Sequence, residues 1–320
     1  MKKHIYVYSP SSAVRDKAAF KRGVKRLVAL GHEVEVDRVA LSSHQRFAGD
    51  DATRLDAVYR AAASGADVAL ISRGGYGVSR LLPELDLKIL EGAIAKGTKF
   101  VGYSDFTPIQ MALLARSGTV SWAGPSVAED FGLLGGADDI MEDCFDDFIT
   151  GRGEGAGWQL PKTPASKVAS TGNTTGTADQ QNDGYTIENA VLWGGNLSML
   201  ASLVGTPYLP IVENGILFIE DVAEHPYRVE RMLIQLLQAG ILARQQAIIF
   251  GQFNHYRLVP HDKGYKLDTV VQWLKTKVSA KVLTGLPFGH VATKVMLPVG
   301  KRVTLVVEGR DALLLWPHNA

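Results

Sequence analysis

The chain has 320 residues, of which 46% are hydrophobic and 21% are charged, a composition typical of a folded globular protein with one large or two ordinary domains. Lys and Arg number 34 against 33 Asp and Glu, and a net charge of +1 predicts no nucleic-acid partner. Cys144 is the only cysteine of the sequence, so an internal disulfide and a thiolate metal cluster are both excluded.

Strands and helices alternate from the amino terminus to about residue 150, which predicts a parallel sheet with helices on both faces. The predicted strands are 5–8, 33–37, 68–72, 99–103 and 120–123. The predicted helices are 13–30, 52–63, 78–82 together with 87–95, and 107–117. Residues 1–150 are therefore expected to form a doubly wound α/β domain of the Rossmann or flavodoxin type.

The composition changes at Gly151, after which Gly, Thr, Ser, Asn and Gln dominate, and residues 151–188 are predicted to be a linker. Beyond it we predict a helix at 227–239 and several strands. These strands are 190–193, 215–219, 247–250, 281–284, 303–307 and 312–316. Residues 189–320 are thus expected to form a smaller, β-rich C-terminal α/β domain.

The apolar segments also bear on location. Residues 5–8 are too short a run for a signal-peptide core and are typical of a first strand instead. No stretch approaches the roughly 20 apolar residues that span a bilayer. We therefore expect a cytoplasmic protein without a membrane partner.

The segment Gly102-Tyr103-Ser104-Asp105-Phe106 places a serine in a sharp bend between an apolar strand and a helix. Serine hydrolases have a similar strand–turn–helix elbow, in which the backbone N–H after the nucleophile points at the developing oxyanion. The pattern predicts Ser104 as the nucleophile and the N–H of Asp105 as an oxyanion donor. The G-x-S-x-G form of the elbow is incomplete, because Phe106 stands where the second glycine would be.

The glycine-rich loop Arg73-Gly74-Gly75-Tyr76-Gly77 follows another apolar strand. It matches neither the dinucleotide fingerprint nor the phosphate-binding loop. Glycines let backbone N–H groups approach a ligand closely, so the N–H of Gly75 is a candidate second oxyanion donor. A tight strand-to-helix connection is the alternative interpretation.

Glu220 closes the predicted strand 215–219. A carboxylate in that position is costly unless it is paired or lies in a cleft. Capping of the following helix suits Asp221 or Glu224 better than Glu220. Glu220 is therefore a candidate functional acid.

His290 follows a glycine in the loop after the predicted strand 281–284. The pKa of histidine suits general base catalysis near neutral pH, and loops often carry function. Among the eight histidines, His225 beside Pro226 is the main rival.

In their order along nearly the whole chain, these motifs resemble the LD-carboxypeptidases, also called muramoyltetrapeptide carboxypeptidases. The matching segments are 73–77 (RGGYG), 80–82 (RLL), 102–107 (GYSDFT), 124–125 (GP), 193–197 (WGGNL), 220–221 (ED), 226–233 (PYRVERML) and 289–290 (GH). The resemblance implies a catalytic triad of Ser104, Glu220 and His290, with the serine in the N-terminal domain and the other two in the C-terminal domain. It implies no cofactor and no metal.

The resemblance also implies a cytoplasmic homodimer that removes terminal D-alanine from murein tetrapeptides, free or muramoyl-linked, in peptidoglycan recycling. Substrate carboxylates need cations, and Arg73 and Arg228 are predicted to bind substrate together with Gly74 and Tyr76. Two alternatives stay open: a related hydrolase that acts on peptide antibiotics, as self-immunity members do, and a non-catalytic protein that binds a small anion.

Overall fold

A computed structural model describes residues 2–162 and 184–317. The first part of the chain alternates strands and helices, as its apolar pattern predicts. Its elements are β1 (His4–Tyr8), α1 (Lys17–Ala29), β2 (Glu33–Val36), α2 (Asp51–Ala63), β3 (Val68–Ile71), α3 (Leu87–Ala95), β4 (Lys99–Gly102), α4 (Thr107–Ser117), β5 (Ser121–Ala123) and α5 (Asp139–Thr150).

The second part begins before the end of the predicted linker. Its elements are β6 (Gly155–Gln159), β7 (Tyr185–Asn196), α6 (Leu197–Ser202), β8 (Gly215–Val222), α7 (Pro226–Gln238), β9 (Gln245–Asn254), α8 (Leu267–Lys275), β10 (Lys281–Thr284), β11 (Leu297–Val299), β12 (Arg302–Glu308) and β13 (Asp311–Leu315). Among the residues described, no helix is both long and apolar enough to cross a bilayer.

The first sheet has the order β11-β5-β4-β3-β1-β2, and the pairs among β1 to β5 are parallel. Strand β3 is buried at all four positions, as expected for a central strand covered on both faces. The predicted doubly wound domain is confirmed. It has one addition: β11, from the second half of the chain, pairs antiparallel with β5 at the sheet edge.

The second sheet has the order β10-β9-β8-β7-β12-β13-β6. Strands β7 to β10 are parallel, while β12, β13 and β6 add an antiparallel half. The expected β-rich second α/β domain is therefore present.

Several predicted boundaries differ from the structure. The first helix begins at Lys17 rather than at 13, because the Asp16 side chain accepts a hydrogen bond from the Ala19 N–H and caps it. The segment 78–82 holds only a short 3-10 turn, Val78–Arg80.

The range 151–188 is not a plain linker, since β6 and the first residues of β7 lie within it. Strand β6 alternates buried and exposed positions, with Ala156 and Trp158 facing the core. The residues 163–183 of this range lie outside the described part of the chain.

Apolar packing joins the two domains. The ring of Phe288 packs edge-on against Phe218 of β8, with centroids 5.5 Å apart, and against Tyr103 of the first domain at 6.4 Å. The carboxyl ends of β4 and β8 consequently meet across this contact.

Candidate active site

Ser104 occupies the sharp turn between β4 and α4, at the carboxyl end of β4. It begins a 3-10 turn, Ser104–Phe106, and its φ of 59° lies in the left-handed region. A non-glycine residue in that region costs on the order of 1–3 kcal/mol, and such strain concentrates at functional sites. The fold therefore holds the Ser104 hydroxyl at the sheet edge in a conformation that an ordinary turn would avoid.

Glu220 lies near the carboxyl end of β8 and is fully buried. The parallel register places Asn196 of β7 beside it. The Asn196 side-chain amide donates to Glu220 Oε1 at 3.2 Å and to Asp221 Oδ1 at 3.1 Å. One amide thus bridges two adjacent buried carboxyl groups and satisfies an oxygen of each.

Asp221 follows Glu220 in β8 and is held by Ser198 as well as by Asn196. Its Oδ2 accepts hydrogen bonds from the Ser198 N–H at 2.9 Å and the Ser198 hydroxyl at 2.7 Å. Burial raises the pKa of Asp221 to about 6, and the neighbouring charge of Glu220 acts in the same direction. The charged state of this carboxyl group therefore changes within the range of ordinary assay pH.

His290 joins the serine to the acid. Its Nδ1 is 2.8 Å from Glu220 Oε2, and its Nε2 is 3.0 Å from Ser104 Oγ. Gly289 has a φ of 133°, and a Cβ at this position would lie 3.1 Å from Glu220 Oε2 and 3.0 Å from the Gln252 carbonyl oxygen. Glycine here lets the backbone before His290 pass close to the acid.

The surroundings of His290 favour its charged form. Burial by itself lowers the pKa of His290, but the nearby carboxylate of Glu220 outweighs it, and Glu129 and Asp221 add to that effect, so the pKa lies above its ordinary value. An imidazolium that forms when the ring takes a proton is thereby stabilised.

The glycine-rich loop packs directly on the serine. A Cβ on Gly74 would lie 2.8 Å from Ser104 Cβ and 2.9 Å from its Oγ. Neither the Gly75 N–H nor the Asp105 N–H donates a hydrogen bond to another residue in the described ranges 2–162 and 184–317. Both N–H groups are thus available to a ligand, that of Asp105 directly after Ser104 and that of Gly75 directly after Gly74.

Buried polar side chains form hydrogen bonds with the backbone at the end of this loop. Arg54 is fully buried and donates to the carbonyl oxygens of Pro10 and Gly77, each at 2.9 Å. The Asp105 carboxylate accepts the Val78 N–H at 3.0 Å, and burial raises the pKa of Asp105 to about 6. Its side chain therefore supports the loop, while its backbone N–H stays near Ser104.

The predicted substrate-binding residues fall into two groups. Arg73 and Tyr76 lie in the glycine-rich loop beside Gly74. Arg73 pairs with Glu129 through Nη2 at 2.8 Å, and Glu129 also lies 3.4 Å from the Tyr103 hydroxyl. Tyr76 is 42% exposed and packs against Phe47.

Arg228 is placed differently, on the exposed side of α7. It pairs with Glu224 at 3.7 Å and lies over the ring of Tyr227. No hydrogen bond or ion pair joins it to the three site residues in the described structure. The rival His225 caps α7 through the Tyr227 N–H and contacts Asp262 at 3.1 Å, so its ring has a structural role.

Sequence reasoning assigned no role to Asn196 or Glu129, and it offered Asp221 only as a possible cap of α7, whereas in the structure His225 caps that helix and Asp221 accepts hydrogen bonds from Ser198. Asn196 stands in the WGGNL segment at the end of β7, and its place beside Glu220 follows from strand register, which the sequence alone did not give. Glu129 lies on a π-helical turn, Val127–Phe131, for which no pattern was recognised.

A two-domain α/β fold with a serine, an imidazole and a carboxylate hydrogen-bonded in line is the arrangement that serine hydrolases use. Comparison with known families identifies a family of carboxypeptidases. A profile of the LD-carboxypeptidase N-terminal domain matches residues 5–124, and one of the LD-carboxypeptidase C-terminal domain matches residues 189–305. The chain belongs to the LD-carboxypeptidase family.

Individual relatives extend over most of the chain. The crystal structure of muramoyltetrapeptide carboxypeptidase from Oxalobacter formigenes has 34% identity and a TM-score of 0.82, and the match covers 99% of this chain and 100% of that one. A probable murein peptide carboxypeptidase of Bacillus subtilis is 28% identical over 90% of this chain and 84% of its own. The microcin C7 self-immunity protein MccF of Escherichia coli is 25% identical over 74% of this chain and 70% of its own.

Proposed function

We propose that this protein is a serine-type LD-carboxypeptidase that hydrolyses the L,D-peptide bond before the terminal D-alanine of murein tetrapeptides. The observation that carries the proposal is the hydrogen-bonded line from Ser104 through His290 to Glu220. Family membership and the murein peptide carboxypeptidases among its relatives supply the substrate class.

In the proposed mechanism, His290 Nε2 takes the proton of the Ser104 hydroxyl as Oγ attacks the scissile carbonyl carbon. Glu220 accepts the hydrogen bond of Nδ1–H, which fixes the tautomer and stabilises the imidazolium. The ring then gives its proton to the leaving amine of D-alanine. Water, activated by the same ring, hydrolyses the acyl-enzyme and restores the serine.

The N–H groups of Asp105 and Gly75 are the proposed oxyanion hole. Their lack of a protein acceptor in the described chain supports this role, as do the places of Asp105 directly after Ser104 and of Gly75 directly after Gly74, which packs on the serine. Loss of one such donor typically costs about a hundredfold to a thousandfold in rate.

Arg73 is the proposed partner of a substrate carboxylate, and Gly74 and Tyr76 would shape the pocket beside it. Because Arg73 is paired with Glu129, the pocket would present a positive and a negative charge side by side to the substrate. A diaminoacid side chain with both an ammonium and a carboxylate group, as in meso-diaminopimelate, would match both charges. Lysine would match Glu129 alone. Arg228 would bind substrate only through a substrate group that extends as far as α7.

The cellular setting completes the proposal. Release of D-alanine from tetrapeptides belongs to peptidoglycan recycling, and we place the protein in the cytoplasm as a homodimer. Light scattering of the purified protein measures the mass in solution, and a monomer at micromolar concentration would contradict the dimer.

The test is to incubate the protein with muramoyl and free tetrapeptides and measure released D-alanine by mass spectrometry. Wild type should release it, whereas folded Ser104→Ala should not. Ser117→Ala, on the exposed end of α4, is the matched control and should keep full activity. Equal release by wild type and Ser104→Ala would overturn the proposal.

The MccF relationship supports one alternative, a hydrolase of the same mechanism that acts on a peptide antibiotic. A substrate panel separates the two, because each predicts turnover of its own amide class only. A non-catalytic anion-binding protein is the second alternative. It predicts binding of the tetrapeptide without release of D-alanine by wild type.

A further inference from the structure

The segment that carries His290, residues 285–296, passes from one sheet to the other. It leaves β10 of the second sheet and enters β11 of the first. Near its start, the carbonyl oxygen of Phe288 accepts the Gln252 N–H at 2.8 Å, and that of His290 accepts the Asn254 side-chain amide at 2.6 Å. These contacts tie its first half to β9 of the second domain.

Lys294 ties the other half to the first domain. It is only 1% exposed, and a buried ammonium group is costly unless it is paired. Its Nζ forms an ion pair with Asp130 and donates to the Val291 carbonyl oxygen at 2.7 Å. It also lies 4.6 Å from the ring centre of Tyr103, the residue before Ser104.

Asp130 is a fixed anchor for this ammonium group. It lies on the π-helical turn Val127–Phe131 of the first domain and is also 1% exposed. Its Oδ2 accepts the Ser126 N–H at 2.7 Å and the Ser126 hydroxyl at 3.1 Å. The carboxylate is therefore oriented by hydrogen bonds within its own domain, independently of Lys294.

Two further contacts act on the same segment. The Thr293 hydroxyl donates to Asp138 Oδ2 at 2.7 Å, and β11 pairs with β5. The ring of Tyr103 lies 5.1 Å from that of His290, so one aromatic ring contacts both the imidazole and the Lys294 ammonium group.

We propose that the buried Lys294–Asp130 pair is a positioning device that holds the His290 imidazole within hydrogen-bond distance of Ser104. The inference rests on the proposed function, since it gives His290 the role of the base. Neither side chain contacts Ser104 or Glu220, so the pair acts through the segment it anchors. A displacement of about 1 Å in a reacting group can cost on the order of a hundredfold in rate.

The test is steady-state kinetics of Lys294→Met and Asp130→Asn with the tetrapeptide. We expect kcat to fall about a hundredfold in each, with KM changed less than threefold, because the pair orients the base and leaves the substrate pocket intact. Asp130→Asn keeps an acceptor for Ser126 and is the variant to use if Lys294→Met does not fold. A folded Asp130→Asn with kcat within twofold of wild type would overturn the inference.

Arg60→Met is the matched control. Arg60 pairs with Asp37 in two hydrogen bonds of 2.7 and 3.0 Å, and Asp37 is 3% exposed, on the opposite edge of the first sheet from β5. This variant should lose stability as the others do but keep kcat at temperatures where it is folded. An equal loss of kcat in Arg60→Met would mean that any broken buried pair has this effect, and would count against the inference.

A second readout does not depend on turnover. The proton between His290 Nδ1 and Glu220 gives an NMR signal that His290→Ala removes, and it should shift or broaden in both pair variants. An unchanged signal would overturn the positioning role. Absence of D-alanine release by wild type would instead count against the proposed function.

Discussion

His290 is 186 positions from Ser104 in the sequence, yet its Nε2 lies 3.0 Å from the serine Oγ while Nδ1 lies 2.8 Å from Glu220. The chain returns to the first sheet seven residues after the histidine, where β11 begins. The imidazole is thereby held between a hydroxyl of one domain and a carboxylate of the other.

Replacement of Glu220 by Gln should lower kcat by about a thousandfold to ten-thousandfold, because the wrong tautomer of His290 is favoured. Asn196 donates to one oxygen of Glu220 and His290 contacts the other. A glutamine amide must therefore direct its NH₂ group at one of these donors. Steady-state kinetics with the tetrapeptide measures the loss.

The same variant should move the acid limb of the pH profile. The proposed base, His290, can take a proton only when it is neutral, and the Glu220 carboxylate keeps the pKa of His290 above its ordinary value. Activity of wild type should rise with pH through this raised pKa, and in Glu220→Gln the rise should occur at lower pH. An acid limb at the same pH in both proteins would contradict this account.

Replacement of Gly74 by Ala should lower kcat about a hundredfold without unfolding the protein. The added methyl group would lie 2.8 Å from Ser104 Cβ and 2.9 Å from Oγ, so the serine or the loop must move. Circular dichroism checks the fold, and kinetics measures the loss.

Gly92→Ala is the control for this substitution. Gly92 lies inside α3, and a Cβ there would meet no atom within 4 Å. Alanine in a helix interior is favoured over glycine by about 0.5–1 kcal/mol, so this variant should be more stable and fully active. Similar kinetics for the two variants would show that the close approach to Ser104 has no effect.

Much of the first domain follows from local sequence. Strands β1, β3 and β4 are continuous apolar runs, so their positions were predicted within a residue or two at either end. Ser104 and Glu220 are candidates because each directly follows an apolar strand, and His290 is one because it follows a glycine in the loop after a strand. Their convergence could not be derived that way, since it depends on how two sheets pack.

The missed features share a tertiary origin. Strand β11 has only three residues and forms because β5 offers an edge. Lys294 resembles an ordinary loop lysine until Asp130, 164 positions away, provides its partner. Neither contact has a local sequence pattern.

Replacement of Asn196 by Ala should destabilise the protein by about 2–4 kcal/mol, because it removes a hydrogen bond from each of two buried carboxyl groups. The loss should be larger at pH 7 than at pH 5. Burial raises the pKa of Asp221 to about 6, so this neighbour of Glu220 is largely protonated at the lower pH and the two repel less. Urea unfolding at both pH values measures the difference.

Ser202→Ala tests whether this loss is specific. Ser202 ends α6, which Asn196 caps, and among the described residues its hydroxyl donates only to the Met199 carbonyl oxygen of the same helix. It should change the free energy of unfolding by less than about 1 kcal/mol at either pH. A pH-independent loss in Asn196→Ala would contradict the proposed role of the amide between the two acids.

Replacement of Asp105 by Asn should flatten the dependence of stability on pH. Burial raises the pKa of Asp105 to about 6, so between pH 4 and 6 the folded state binds more protons than the unfolded state. The free energy of unfolding of wild type therefore falls as pH rises through this window. Asparagine keeps an acceptor for the Val78 N–H but does not titrate.

Relative to wild type, Asp105→Asn should accordingly gain stability from pH 4 to 6, by on the order of 2–3 kcal/mol, and the difference should be constant above that. Asp50→Asn is the control, because Asp50 is expected to change the free energy of unfolding with pH in the opposite direction. The Asp50 side chain caps α2 through Thr53, which lowers the pKa of Asp50, so wild type loses this contribution as pH falls. Urea unfolding across the pH range distinguishes the two, and parallel curves for wild type and Asp105→Asn would mean that the buried carboxyl group does not titrate in this window.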